Sequence, residues 1–146
     1  MKNAIKILTV SLCLILSLSS CFIVDLFNGI KQETERVVSF TTEFAVLIEN
    51  PTVENAEELL HPSSPITPEQ VIAKVEDNEK LQSLNTAGEI SVGKIQNLQL
   101  QYNDPTLGGT VYTADCEIIV DGTPITVKLT LLSTDDGFGL YDFDIE

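Results

Sequence analysis

The chain has 146 residues, enough for one domain with a sizeable core and too few for two. It carries 22 acidic residues against 8 basic ones, a formal charge of −14 at pH 7, and a surface of that sign repels nucleic acid and anionic lipid headgroups. Basic patches with interleaved aromatics, a phosphate-binding glycine loop, a Cys/His metal cluster and a serine-hydrolase elbow are all missing, so no nucleic-acid partner, cofactor, metal or catalytic residue is assigned.

Residues 1–21 read MKNAIKILTVSLCLILSLSSC. Lys2 and Lys6 precede an apolar run from Ile7 to Leu18, the architecture of a signal peptide. The end of the run, Leu18-Ser19-Ser20-Cys21, resembles the lipobox of bacterial lipoproteins. The resemblance implies that residues 1–20 are removed and that the Cys21 thiol takes a diacylglycerol; Phe22 to Gly29 then reads as a short tether into the first helix, so that residues 21–29 comprise the lipidated Cys and the tether. A thiol nucleophile at the cut and small residues before it are what that chemistry needs. An uncleaved anchor from Ile7 to Val24 is the alternative, although Ser11, Ser17, Ser19 and Ser20 dilute it. Either way the domain is expected outside the cytoplasm, held at the cell membrane or outer membrane. Cys13 then leaves with the leader and Cys21 is consumed by lipid, so Cys116 stands alone and no internal disulfide is expected.

A single α+β domain is expected over residues 30–146. From Ile30 to Glu49, Ile30, Val37, Phe40, Phe44, Leu47 and Ile48 recur at helical spacing, with Thr34 and Thr41 on the same stripe, and Asn50-Pro51 ends the helix. Thr52 to His61 reads as a short second helix with Val53, Ala56, Leu59 and Leu60 inward. Thr67, Pro68 and Gln70 give a third helix a capping box with proline at its first position. The charged run Glu76 to Lys80 ends that helix or turns it outward.

Four strands follow. In Glu89 to Tyr102, Ile90, Val92, Leu98, Leu100 and Tyr102 share a face by parity, but Lys94 and Gln96 interrupt it and Ile95 opposes it; a bulge near Gly93 reconciles them. Asp121-Gly122 is the hairpin signal between the second and third strands. With that turn, Ile118 faces Ile125, Cys116 faces Val127, Ala114 faces Leu129 and Tyr112 faces Leu131. A three-residue turn, Asp135-Asp136-Gly137, then sets Leu131 against Tyr141, Leu129 against Phe143 and Val127 against Ile145. The sheet so obtained has an apolar face and a charged one, and Lys128 lies between Asp115 and Asp144 on the latter. The order implies three N-terminal helices on one face of a curved, four-stranded antiparallel sheet.

The long first helix, the phrase from Pro51 to Pro62 (PTVENAEELLHP) and the bent sheet together resemble the nuclear-transport-factor-2-like cone fold, over most of residues 33–146. Small bacterial lipoproteins commonly carry such a domain, and the resemblance implies helices seated in the concavity of the sheet. Enzymes of that superfamily place an Asp or His base and a Tyr or protonated Asp donor in the pocket, and no such set maps onto this chain. The expectation is therefore a non-enzymatic binding module; the alternative is a small isomerase- or dehydratase-like enzyme using the pocket between helices and sheet. Tyr112 and Tyr141, flanking Leu131 in these registers, are the candidate ligand-binding pair. His61, the only histidine, is expected to be structural. Cys116 falls on the apolar face, where a free thiol packs as a small hydrophobe. Val111, Leu132 and Leu140 are expected on the outer face as a patch for a partner. Besides the membrane at Cys21, the expected partners are an envelope protein or a small ligand, with a homodimer through the sheet face as a further one.

Overall fold

The computed structural model describes residues 28–146; the leader, Cys21 and the tether up to residue 27 lie outside the described residues. The described residues fall into two units that divide after Val37: residues 28–37 belong to the first, and Val38–Glu146 form the second. In the first, residues 28–37 belong to a helix, α1, whose described residues are 28–49, so residues 28 and 29, expected in the tether, are helical. The exposed pair Lys31–Glu35 (3.7 Å) contributes little, and a half-buried pair, Glu33–Arg36 (3.5 Å), lies on the same helix. Ile30 was expected on the buried stripe but is 56% exposed, because the whole turn around it, residues 28–32, is exposed.

The second unit is α+β. After α1 come α2 (Val53–Leu59), α3 (Pro68–Glu76) and α4 (Glu79–Gln82), then β1 (Ile90–Gln101), β2 (Thr110–Val120), β3 (Thr123–Thr134) and β4 (Gly137–Ile145). The strands form one antiparallel sheet in chain order. Four helices replace the expected three. The extra one arises where Asn78 stops the charged run: its side chain accepts from Lys80 N and Leu81 N, both at 3.1 Å, and starts α4. The capping box of α3 is as expected, with Thr67 N donating to Gln70 Oε1 at 2.9 Å and Gln70 N to Thr67 Oγ1 at 3.4 Å. α2 is shorter than expected. Val53 sits in its first turn and is 46% exposed instead of inward, and Leu60 leaves the helix to bridge Leu140 of β4.

The β2–β3 register is as expected throughout, from Val120↔Thr123 to Tyr112↔Leu131, with Asp121 (φ 49) and Gly122 (φ 78) in the left-handed region that the two-residue turn requires. The β3–β4 register is correct only in its proximal half. Val127↔Ile145 and Leu129↔Phe143 hold, but the turn spans two residues, since Thr134 pairs with Gly137. One residue too many is thereby left in β4, and Tyr141 takes it up as a bulge, so Leu131 faces Leu140 instead of Tyr141. The bulge brings Phe138 and Leu140 onto the apolar face.

That face is closed by α1. Phe40, Thr41, Phe44, Leu47 and Ile48 are buried. Phe44 meets Phe143 edge-on with ring centroids 5.0 Å apart, Phe40 meets Phe138 at 5.9 Å, and Tyr112 meets Phe138 at 5.4 Å. Edge-to-face pairs add about 0.5–1.5 kcal/mol each beyond the area they bury.

Candidate functional site

The candidate residues fall in three places: the floor of the sheet, the bulge in β4, and a strap that ties α2 to β4. Tyr112 belongs to the floor. It is buried, edge-on to the Phe138 ring and opposite Leu131. Tyr141 belongs to the bulge and is half-buried. The expected register put both phenols beside Leu131; with Leu140 in that place, Tyr112 and Tyr141 are not brought together as cross-strand neighbours of one residue.

His61 is 2% exposed. The strap that carries it begins at Leu60, and His61 N donates to Leu140 O at 2.9 Å. Ser64 Oγ donates to Tyr141 O at 2.8 Å. Ser63 N donates to His61 Nδ1 at 3.0 Å, which makes Nδ1 an acceptor and leaves the ring proton on Nε2, 3.0 Å from Thr134 Oγ1. Both ring nitrogens are thus used in holding the strap. Gly139 permits the approach: a Cβ there would come within 2.7 Å of His61 N and 2.9 Å of both His61 Cα and Leu59 O. By strand parity Leu132, Thr134 and Gly139 point to the outer face, so this is where the strap crosses. Leu132 is fully buried beneath it. The outer apolar patch expected from Val111, Leu132 and Leu140 is therefore not present as such, because the strap covers Leu132 and the bulge turns Leu140 inward.

Cys116 faces Val127, is fully buried, and accepts a hydrogen bond from Thr41 Oγ1 at 3.4 Å. Burial pushes its thiol above the ordinary range; the Thr41 hydrogen bond opposes this, and the Asp115 carboxylate adds to it. A protonated, enclosed thiol is a poor nucleophile. On the outer face, Lys128 lies between Asp115 and Asp144 in register, as expected, and its ammonium donates to Glu146 Oε1. That hydrogen bond first, and then the charges of Glu146, Asp115 and Asp144, hold the Lys128 ammonium above its ordinary pKa. Lys74 reaches Asp142 Oδ1 at 2.9 Å and Phe143 O at 2.7 Å, with its Nζ 4.9 Å from the Phe143 ring centroid.

Two of the clefts lined by described residues lie on this unit. One, of about 240 Å³, is lined by Ile48, Pro51, Val75, Glu76, Leu81, Gln82 and Thr86. The other, of about 170 Å³, is lined by Glu43, Val46, Asn55, Glu58 and Leu59. Both are smaller than the ~300 Å³ at which ligand pockets begin, and neither is lined by Tyr112, Tyr141 or His61. Among the described residues no group of three His, Cys, Asp or Glu side chains is disposed to hold a metal ion, and no helix is long and apolar enough to cross a membrane.

What sequence reasoning missed is the strap. Its signal is the pair Gly139 and Leu60: a glycine where an apolar strand has no need of one, and a leucine just past the end of a short helix. No family model matches the sequence, and no curated protein and no solved structure matches it either.

Proposed function

We propose that this protein is a lipoprotein, anchored by lipid on Cys21 and facing outside the cytoplasm at the cell membrane or outer membrane, whose nuclear-transport-factor-2-like cone serves as a non-enzymatic interaction module. The observation that carries the non-enzymatic part is the filling of the interior. Phe40, Phe44, Phe143, Phe138 and Tyr112 interlock between helix and sheet, at the level where a cone-fold enzyme needs an open pocket with an acid–base pair. Neither the buried thiol of Cys116 nor the doubly engaged ring of His61 offers a substitute. The polar surface of the domain is then its working part, presented to an envelope protein. The homodimer through the sheet face expected above belongs to the same reading.

In-cell crosslinking of the full-length chain tests it. A defined crosslinked partner should be recovered with the wild type and lost when residues 1–21 are replaced by a secretion leader that is cleaved without lipidation, which releases the domain from the membrane. Conversely, turnover of a ketosteroid or hydroxyacyl substrate by the purified chain, abolished by Tyr141→Phe, would replace the interaction module by an enzyme.

A further inference from the structure

The two edges of the sheet are treated differently. Along β4, the backbone carbonyls are occupied by donors from outside the sheet. Leu140 O accepts from His61 N at 2.9 Å, Tyr141 O from Ser64 Oγ at 2.8 Å, Phe143 O from Lys74 Nζ at 2.7 Å and Ile145 O from Asn78 Nδ2 at 3.3 Å. That edge is sealed. Along β1, residues 90–101 find their backbone partners among the described residues in β2 alone, and Val92 and Ile95 on the inner face are only half-buried. A free edge with unspent apolar surface is a template for another strand.

The local geometry says which strand. Val92 pairs with Ile118 and Ile95 with Cys116, so the two residues between them, Gly93 and Lys94, both stand opposite the single residue Glu117. The Glu117 side chain lies across Gly93, where a Cβ would collide with it. The edge therefore shows, side by side, a carboxylate laid over a residue with no side chain and an exposed ammonium. We propose that β1 pairs with β1 of a second copy across a two-fold axis lying between Gly93 and Lys94. That rotation sets Lys94 of each chain against Gly93 of the other, where it meets the other chain's Glu117, giving two reciprocal ion pairs. It also sets Val92 against Ile95 on the inner face and Ser91 against Gln96 on the outer face, each twice.

The bulge makes this register self-consistent. In a regular strand, residues three apart point to opposite faces, and the same pairing would put apolar against polar side chains. Here Val92 and Ile95 share a face because one of the two residues between them is extra. Charge narrows the choice of partner further: the chain carries −14, yet Lys94 is the only charged residue in β1, so this is the strip where two copies meet with least repulsion. The second bulge, between Gln96 and Gln99, has Asn97 at φ 52 with its side chain donating to Asp115 Oδ2 at 2.6 Å. A bulge bends its strand, so the proposed contact ends there and is confined to residues 91–96. An isologous contact of this kind closes on itself and does not propagate. This contact depends neither on the lipid anchor nor on a heterologous partner.

Sedimentation of the full-length chain in density-matched detergent tests the proposal. A concentration-dependent dimer is expected, with slowed amide exchange at residues 91–96. Lys94→Glu and Glu117→Lys should each weaken it at least about tenfold, since each places like charges together. Mixing these two variants should restore association, because each altered position then meets the opposite charge in the other chain; repair within one chain cannot produce that result. Circular dichroism of each variant confirms that the fold is retained. A monomer at every accessible concentration overturns the proposal. So does a dimer indifferent to both substitutions, or a mixture that stays monomeric.

Discussion

Gly139→Ala should be among the most damaging single-methyl changes that this domain can receive. The new Cβ would lie 2.7 Å from His61 N, 2.9 Å from His61 Cα and 2.9 Å from Leu59 O. All three are backbone atoms, so no side chain can swing away and the strap itself must lift. Overpacking of that kind costs about 1–3 kcal/mol. Lifting the strap also strains the bonds His61 N to Leu140 O and Ser64 Oγ to Tyr141 O, each worth about 1 kcal/mol. Replacing glycine in a strand returns roughly 0.5–1 kcal/mol of backbone entropy. The net expectation is a loss of about 2–3 kcal/mol, or a melting temperature lower by roughly 6–12 °C, read by urea and thermal denaturation. Gly93→Ala is the internal comparison. Its Cβ would also collide, but with the flexible side chain of Glu117, which can move, so the cost should stay below about 1 kcal/mol. Equal tolerance of the two substitutions would refute the reasoning, since it would mean that the backbone of residues 59–61 does not cross Gly139.

Cys116→Leu should overpack the sheet opposite Val127 and cost roughly 1–3 kcal/mol, with Cys116→Val costing less; equal denaturation midpoints for the two would contradict a filled site. The same thiol should resist alkylation until the protein is unfolded. Because burial raises its pKa, the unfolded chain releases this proton at lower pH than the folded one, so this group makes stability fall as pH rises above the ordinary thiol range. Cys116→Val should flatten that alkaline decline. Lys128→Ala removes one exposed cross-strand contact, worth only about 0.2–1 kcal/mol, and should barely move the melting temperature.

The middle of the sheet was legible because its information is local. Asp121-Gly122 fixes a two-residue turn, and the alternation of Tyr112, Ala114, Cys116 and Ile118 against Ile125, Val127, Leu129 and Leu131 admits one register. The capping box of α3 was legible for the same reason. In β1, the conflict between Lys94 and Ile95 correctly called for a bulge at Gly93, but one bulge moves the apolar phase to odd positions and leaves Leu98 and Leu100 on the wrong face. A second one, at Asn97, is needed to bring them back, and the sequence contained that requirement. In β4, Phe138 and Leu140 alternate in one phase and Phe143 and Ile145 in the other, which marks the bulge at Tyr141. A three-residue turn hid it by absorbing the odd residue. The strap was not legible from periodicity, because its bonds join residues more than seventy positions apart; Gly139 and Leu60 were its only trace. The candidate site suffered most, since Tyr141 owed its place beside Tyr112 to the turn length alone.

The central claim, a lipid-anchored module, is tested most directly by the intact mass of the chain purified from its native membrane. The expected species lacks residues 1–20 and begins at Cys21 carrying a diacylglycerol thioether, with an additional acyl chain on its new amino group where that modification occurs. A chain that retains Met1 to Ser20, or one that begins at Cys21 with a free thiol, would contradict it.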